Sequence, residues 1–448
     1  MKKKLFRALR LAAVPFKLLL LLVPLVGLMV YVNYTVDCSG LYQGDLTNRT
    51  IVELLLQGEN VSGFSQMDQR AVMELYIQLL PDEQVPETVA LGSSRVMQLT
   101  TDMAGTTLYN CGVTGGDYRD MMNAFYLWDK YGKLPDRVVL GIDPWMFRSD
   151  VKDKRSNAAL FEEMLSVALG HFTSYQAPQP SRLYRLCDAA VQKATKGQAS
   201  LTTLNVTDET LLALFEPAYF QGNVQHYRKT RNQAIMAEAV TEDGIHVVYR
   251  AVTPAQMRTN TDEVKCADGT VWYSQEFREA SADAALQVAL TQAGTFLYME
   301  GYTELETAQC TLFEEFIEYV QSRGVEVVFF LAPYHPFLYE YVTLYNYDNH
   351  AGFFEVEPYV RTYAAKKGIP VVGSYDPRLL GLKDEDFFDG LHVRAEGIAK
   401  YFGGFDAAGG ILPGTEYDGV ALCPLVAEED AETDAANAPA DTQSAGRG

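Results

Sequence analysis

Three residues of this chain have the chemistry of an activated nucleophile: Ser94, Asp389 and His392. A serine hydroxyl attacks only when a base removes its proton, and an imidazole base needs a carboxylate to orient it. Asp389 and His392 are three residues apart, which can set both side chains on one side of a loop entering a helix. Ser94 follows the apolar run 88–91 within Gly92-Ser93-Ser94-Arg95, where a helix would start and present unpaired N–H groups. Gly112, Gly115 and Gly116 follow a second apolar run. Glycines there let the backbone close on a reacting centre and aim amides at a developing oxyanion. Each signal is ordinary alone: a serine also caps helices, an aspartate also makes turns, and a histidine also sits on surfaces. Together they supply the residue types that a nucleophilic serine needs.

Other residues near these runs carry two readings each. His335, between Pro333 and Pro336, either lines the cleft, acts as a second base, or is simply held rigid in its loop. Arg95 either receives an anionic group or pairs with Asp143 or Asp117. Tyr334 can stack on a sugar, but among 27 tyrosines packing is the commoner role, and Trp145 reads as core.

The runs that must position these residues alternate in type. Strands are expected at 88–91, 107–109, 137–142, 325–331 and 369–372, with helices at 118–131, 305–323, 353–367 and 395–402. Strands alternating with helices imply a parallel, doubly wound α/β sheet. Ligands of such sheets gather at the carboxyl ends of the strands, which is where Ser94, Gly112, Asp143 and His335 fall. Apolar residues at helical spacing over 51–56 and 67–80 make residues 36–86 a helical lead-in to the first part of the sheet, 87–148. From 149 to 304 the rhythm loosens into mixed helices and strands, one of them at 245–252, so a long insertion is expected before residues 305–426 complete the domain.

Gly92-Ser93-Ser94, Asn110-x-Gly112-x-x-Gly115, Gly141-Ile142-Asp143 and Asp389-x-x-His392 occur in the order seen in the SGNH (GDSL-like) hydrolase superfamily. The match covers residues 87–148 and 306–405 and resembles especially the membrane-anchored bacterial members, among them the teichoic acid D-alanyl transfer proteins and the alginate O-acetylation proteins. The resemblance implies a flavodoxin-like sheet, Ser94 as nucleophile, His392 as base and Asp389 as its orienter. It further implies an oxyanion hole from the Ser94 and Gly112 amides, with Gly115 nearby, and a multi-spanning membrane acyltransferase as partner. Two positions depart from the pattern: Ser93 stands where aspartate is usual, and Asp143 where asparagine is usual. An ionised carboxylate aimed at an oxyanion would repel it, so Asp143 points elsewhere, is protonated, or binds a substrate hydroxyl.

The ends of the chain and its charge set the surroundings. Six basic side chains lie in the first 17 residues, ahead of an apolar run at 18–32 that residues 11–16 extend if Lys17 snorkels. A bilayer span takes about 20 apolar residues. The next basic residue is Arg49, so the positive-inside rule puts the N-terminus in the cytoplasm and the main domain outside. Residues 31–34 (Tyr-Val-Asn-Tyr) offer no small-residue cleavage site, so residues 1–35 are expected to remain as a single-pass anchor in membrane lipid. Net charge is −21, with +6 in the first 17 residues and −27 in the rest, a poor match for nucleic acid. Residues 427–448 have the composition of a disordered acidic tail. Six cysteines without a C-x-x-C pair leave disulfides and buried thiols both open. No metal-binding or phosphate-loop motif is present, so neither a metal nor a nucleotide cofactor is expected. The expectation is a serine acyl-ester hydrolase or acyltransferase acting on a wall or exported polysaccharide. The alternative is a non-catalytic binding or assembly protein of a membrane acyl-transfer complex.

Overall fold

Apolar runs without period-two alternation, such as Thr88–Leu91 and Glu326–Leu331, need cover on both faces, and in the computed structural model they have it. The structure describes residues 22–37, 42, 46–62, 67–148, 156–171, 181–201, 204, 206, 208, 210–234, 250, 251, 253–258, 260–294 and 299–417. Strands β1 (Thr88–Leu91), β2 (Leu108–Asn110), β3 (Arg137–Gly141), β4 (Glu326–Leu331) and β5 (Val371–Gly373) form one parallel sheet in the order β2-β1-β3-β4-β5. This α/β arrangement is compatible with a flavodoxin-like fold, whose crevice opens at the carboxyl ends of β1 and β3, where the strand order reverses.

Seven helices surround the site or the sheet: α1 (Gln69–Leu79), α2 (Tyr118–Lys130), α3 (Ala282–Ala293), α4 (Thr307–Ser322), α5 (Pro336–Tyr345), α6 (Ala351–Lys367) and α7 (Ala395–Ala399). On one face, Phe125 of α2 meets Phe316 and Tyr319 of α4 edge-on at 5.9 and 5.3 Å, and Phe313 of α4 meets Phe329 of β4 at 5.5 Å. On the other, Ala90, Val139, Val328 and Phe330 join Phe387, Ile398, Tyr401 and Phe405 in one core. Phe329 and Phe330 are adjacent and both buried, each contributing about 1.5–3 kcal/mol, so β4 needs a layer on either side.

The strands lie within two residues of their expected places. Local chemistry sets several helix ends. Asp117 caps α2 by accepting from the Arg119 N–H at 2.9 Å, and Asp120 returns the bond by accepting from the Asp117 N–H at 3.1 Å. The helix expected at 395–402 is shorter: it stops at Ala399, and β6 (Phe402–Phe405) pairs antiparallel with β7 (Ile411–Pro413). The lead-in includes a strand, Val61–Ser62, paired with Val264–Lys265, which in turn pairs with Val271–Trp272.

The chain divides into two compact units, one of residues 1–53, 64–67 and 174–250, the other of 54–63, 68–173 and 251–448. The expected insertion, 149–304, is therefore not one piece. Its last part belongs with the sheet because it is bonded there: the Asn110 N–H of β2 donates to the Asp268 carbonyl at 2.7 Å.

In the first unit, Tyr42, Leu201, Val206, Leu211 and Leu214 make a small core, against which Val30 and Tyr34 pack. Residues 22–36 are helical. Asn33 is fully buried and donates to the carbonyls of Ala213, Leu214 and Glu216 at 3.1, 3.0 and 3.3 Å. Among the described residues no helix is long and apolar enough to cross a membrane. Residues 1–21 of the expected anchor, the tail at 427–448 and most of the strand expected at 245–252 lie outside the described residues. Cys111, Cys187, Cys266 and Cys310 are free thiols.

Candidate active site

β1 ends at Leu91, and its chain turns through Gly92 and Ser93 into a short 3-10 turn, Ser94–Val96. Ser93 is buried and extended, and its hydroxyl accepts from the Arg95 N–H at 3.2 Å, capping the turn. Within Gly92–Val96 only Ser94 is more than buried, so its hydroxyl faces the crevice. As the first residue of the turn, its N–H has no acceptor inside the turn.

The structure brings Ser94, His392 and Asp389 together. Ser94 Oγ lies 2.8 Å from His392 Nε2, and His392 Nδ1 lies 2.9 and 3.0 Å from the two Asp389 oxygens. An ionised carboxylate only accepts, so Nδ1 carries the proton and Nε2 is left to accept from Ser94. Burial alone would raise the Asp389 carboxyl, but the His392 charge and hydrogen bond, with the Leu391 and His392 amides, outweigh it and hold it to about 2. Those amides donate to Asp389 Oδ1 at 2.7 and 2.9 Å. The His392 side chain is 18% exposed and that of Asp389 8%, so the base is reachable and its orienter is not.

The Asp389–His392 loop is clamped from outside. Gln292 of α3 accepts from the Gly390 N–H at 2.9 Å, and the Gly390 carbonyl accepts from the His335 N–H at 3.0 Å. Tyr273 and Phe277 stand edge-on to the His392 ring at 6.1 and 6.4 Å and pack with Phe388. The last part of the expected insertion therefore builds one wall of the site. No motif marks Tyr273, Phe277 or Gln292, since each is an ordinary apolar or helical residue until the chain is folded.

Arg95 and Asp143 are found in the ion pair that was one of the two sequence readings of Arg95. Arg95 Nη1 donates to Asp143 Oδ1 at 2.9 Å, with both side chains almost wholly buried. Nε donates to the Leu391 carbonyl at 3.2 Å, Nη2 to the Pro333 carbonyl at 3.1 Å and also to that of Ala332. The guanidinium lies 3.8 Å over the buried Tyr334 ring. Arg95 is thus not open to an anionic ligand, and Tyr334 is not open to a sugar. Asp143 points to Arg95 and Ser93 rather than at an oxyanion. Burial raises its carboxyl from the ordinary value, and Arg95, Ser93 and His392 offset that only in part.

Three other expected site residues have structural duties. The Gly112 N–H donates to Asn110 Oδ1 at 2.9 Å, so this amide is already engaged. Asn110 is itself fixed, donating to the Val96 and Leu99 carbonyls at 2.7 and 3.1 Å. A side chain at Gly112 would press on Ser93 O and Val96, which is why the position suits glycine. Gly115 supplies the positive φ, 62°, of the turn closed by the Gly116 N–H to the Val113 carbonyl. His335 neither lines the cleft nor reaches Ser94. It is fully buried and caps α5, its Nδ1 accepting from the Phe337 N–H at 3.2 Å, with Nε2 3.5 Å from Asp384. Burial lowers its pKa, opposed by Asp384 and Asp389. Trp145 is core, donating to the Gly116 carbonyl at 3.1 Å.

No protein-family model matches this chain, and no curated protein matches it.

Proposed function

We propose that this protein is a membrane-anchored, extracytoplasmic serine acyl-ester hydrolase or acyltransferase of the SGNH type, acting on a cell-envelope or exported glycan. The observation that carries the reading is the Asp389–His392–Ser94 relay, with spacings of 2.9 and 2.8 Å at the carboxyl end of a parallel sheet. Ser94 Oγ attacks the ester carbonyl as its proton passes to His392 Nε2. Asp389 stabilises the resulting imidazolium, and the Ser94 amide donates to the oxyanion. The imidazolium returns the proton to the leaving alcohol, giving acyl-Ser94. Water or a polymer hydroxyl then attacks the acyl group, its proton passing to His392 and on to the released Ser94. The glycan substrate and a multi-spanning acyltransferase partner are supported by the resemblance to the anchored SGNH proteins. The anchor is supported by the apolar run 18–32 and by the exposure of Leu22, Val23, Leu25 and Leu28.

One observation favours the second reading, a non-catalytic binding or assembly protein. Asn110 holds the Gly112 amide, and removing one oxyanion donor costs about 10²–10³ in rate. Labelling with a fluorophosphonate serine probe separates the two. The wild-type chain is expected to label, with the label lost in both Ser94→Ala and His392→Ala. A folded wild type that stays unlabelled, alone and in membranes, would favour the binding protein.

A further inference from the structure

In the first unit, the helix of residues 22–36 is exposed through Leu28, and its Val30 and Tyr34 pack on the small core. Asn33, one residue past the apolar run 18–32, bonds the carbonyls of Ala213, Leu214 and Glu216. Those bonds hold the 3-10 turn Leu211–Phe215 against the helix at the level where the run ends. With three residues per turn, Leu211 and Leu214 share one face of it, and Leu212 and Phe215 the next. The first pair is buried in the core, whereas the second is 64% and 45% exposed. Tyr31, two residues before Asn33, is exposed as well.

A second exposed surface rests on the same core. Helix Arg182–Ala194 packs Tyr184, Cys187 and Val191 against it, at helical spacing. Its outer side carries the exposed Leu183 and Leu186 beside the exposed Arg182, Arg185 and Lys193. The one carboxylate of this helix, Asp188, accepts from the Leu201 N–H at 2.7 Å. The outer side is thus apolar and basic, in a chain whose net charge beyond its first 17 residues is −27.

We infer that this unit is seated in the lipid surface from which the anchor emerges. Leu212, Phe215 and Tyr31 enter the interfacial layer around the anchor. Helix Arg182–Ala194 lies on that layer, with its leucines among the upper acyl chains and its arginines on anionic headgroups. Tyrosine at the end of a span, and exposed leucine beside basic side chains, are what such a layer accepts. The placement rests on the anchor reading, since a span at 18–32 sets Asn33 at the outer interface.

The test uses the full chain in lipid nanodiscs, with one added tryptophan at a time. Leu212→Trp, Phe215→Trp and Leu186→Trp report on the seat and Leu25→Trp on the span, each read against the three native tryptophans of the wild type. All four replace exposed side chains, so the fold tolerates them. Lipids brominated near the headgroup end of the acyl chain are expected to quench the first three, and aqueous iodide to quench them little. Lipids brominated near the methyl end are expected to quench Leu25→Trp. Phosphatidylglycerol added to phosphatidylcholine, at constant bromolipid, is expected to deepen the quenching of Leu186→Trp, and Arg182→Gln/Arg185→Gln to abolish that gain. The seat is ruled out if iodide quenches Leu212→Trp and Phe215→Trp and bromolipids do not. Equal quenching of Leu186→Trp with and without phosphatidylglycerol would overturn the headgroup contact. Quenching of Leu25→Trp without quenching at the seat would leave the anchor standing and remove the seat. The reverse would leave a seated peripheral protein and remove the span.

Discussion

Arg95 joins parts of the site that are far apart in sequence: Asp143 after β3, the Ala332 and Pro333 carbonyls after β4, and the Leu391 carbonyl inside the Asp389–His392 loop. It is a positioning residue, acting on Ser94 and His392 through the backbone. Arg95→Met would leave Asp143 buried without its partner, a loss of about 3–5 kcal/mol. Urea titration is expected to show that loss, and the double variant Arg95→Met/Asp143→Leu should recover part of it. Recovery stays incomplete because the carbonyls of Pro333 and Leu391 still lack their donor. Asp389→Asn tests the relay itself. An amide can present its N–H to His392 Nδ1 and leave the proton on Nε2, so fluorophosphonate labelling is expected to slow by roughly 10⁴-fold while the fold persists. An unchanged rate would remove Asp389 from the mechanism. The sequence showed these residue types and their order. It left the direction of Asp143 open, because a side chain's partner depends on strands that only packing brings side by side.

At the level of elements, the strand ends deliver the site and short loops hold it. His335 is the cap of α5 and its backbone pins Gly390, so its ring is structural. Its pKa is lowered by burial, so the unfolded chain binds the proton more readily than the folded one. The sign follows: this contribution to stability is present above the unfolded pKa of about 6.5 and is lost as the pH falls from there toward the lowered folded value. Thermal melts from pH 7.5 to 5 are expected to show a smaller decline in His335→Asn, whose amide can still cap α5, than in the wild type. An equal decline would assign the pH dependence to other groups. The strands were legible because their apolar runs are local, and the end of α2 because Gly132 and Pro135 stop it. The turn from α7 into β6 was not, because Phe402 fits either a helix or a strand until Phe405 and the core select the hairpin.

For the molecule as a whole, the first unit constrains where a soluble form can begin. Residues 22–28 of its helix are exposed, whereas Val30 and Tyr34 pack on the small core and Asn33 bonds three carbonyls there. The anchor reading expects the full chain to resist alkaline extraction from membranes, and a chain beginning at residue 29 to be released and folded. A chain beginning at residue 36 is expected to melt lower, since it lacks the buried Asn33 and leaves the carbonyls of Ala213, Leu214 and Glu216 without that donor. Extraction of the full chain by carbonate would count against the anchor, and equal melting of the two shorter chains would count against the role given to Asn33.

What the amino-acid sequence settled on its own was the α/β alternation, the strand positions and the candidacy of Ser94, Asp389 and His392, since apolar periodicity and turn chemistry are written within a few residues. The tertiary structure decided which candidates meet. It set Ser94 against His392 across nearly three hundred residues of chain, committed Gly112 to Asn110 and Arg95 to Asp143, and buried His335. It also drew Tyr273 and Phe277 from the apparent insertion to the wall of the site. Such pairings depend on strand order and on which polar groups are left to satisfy one another once the core has closed, and no local window of sequence contains that information.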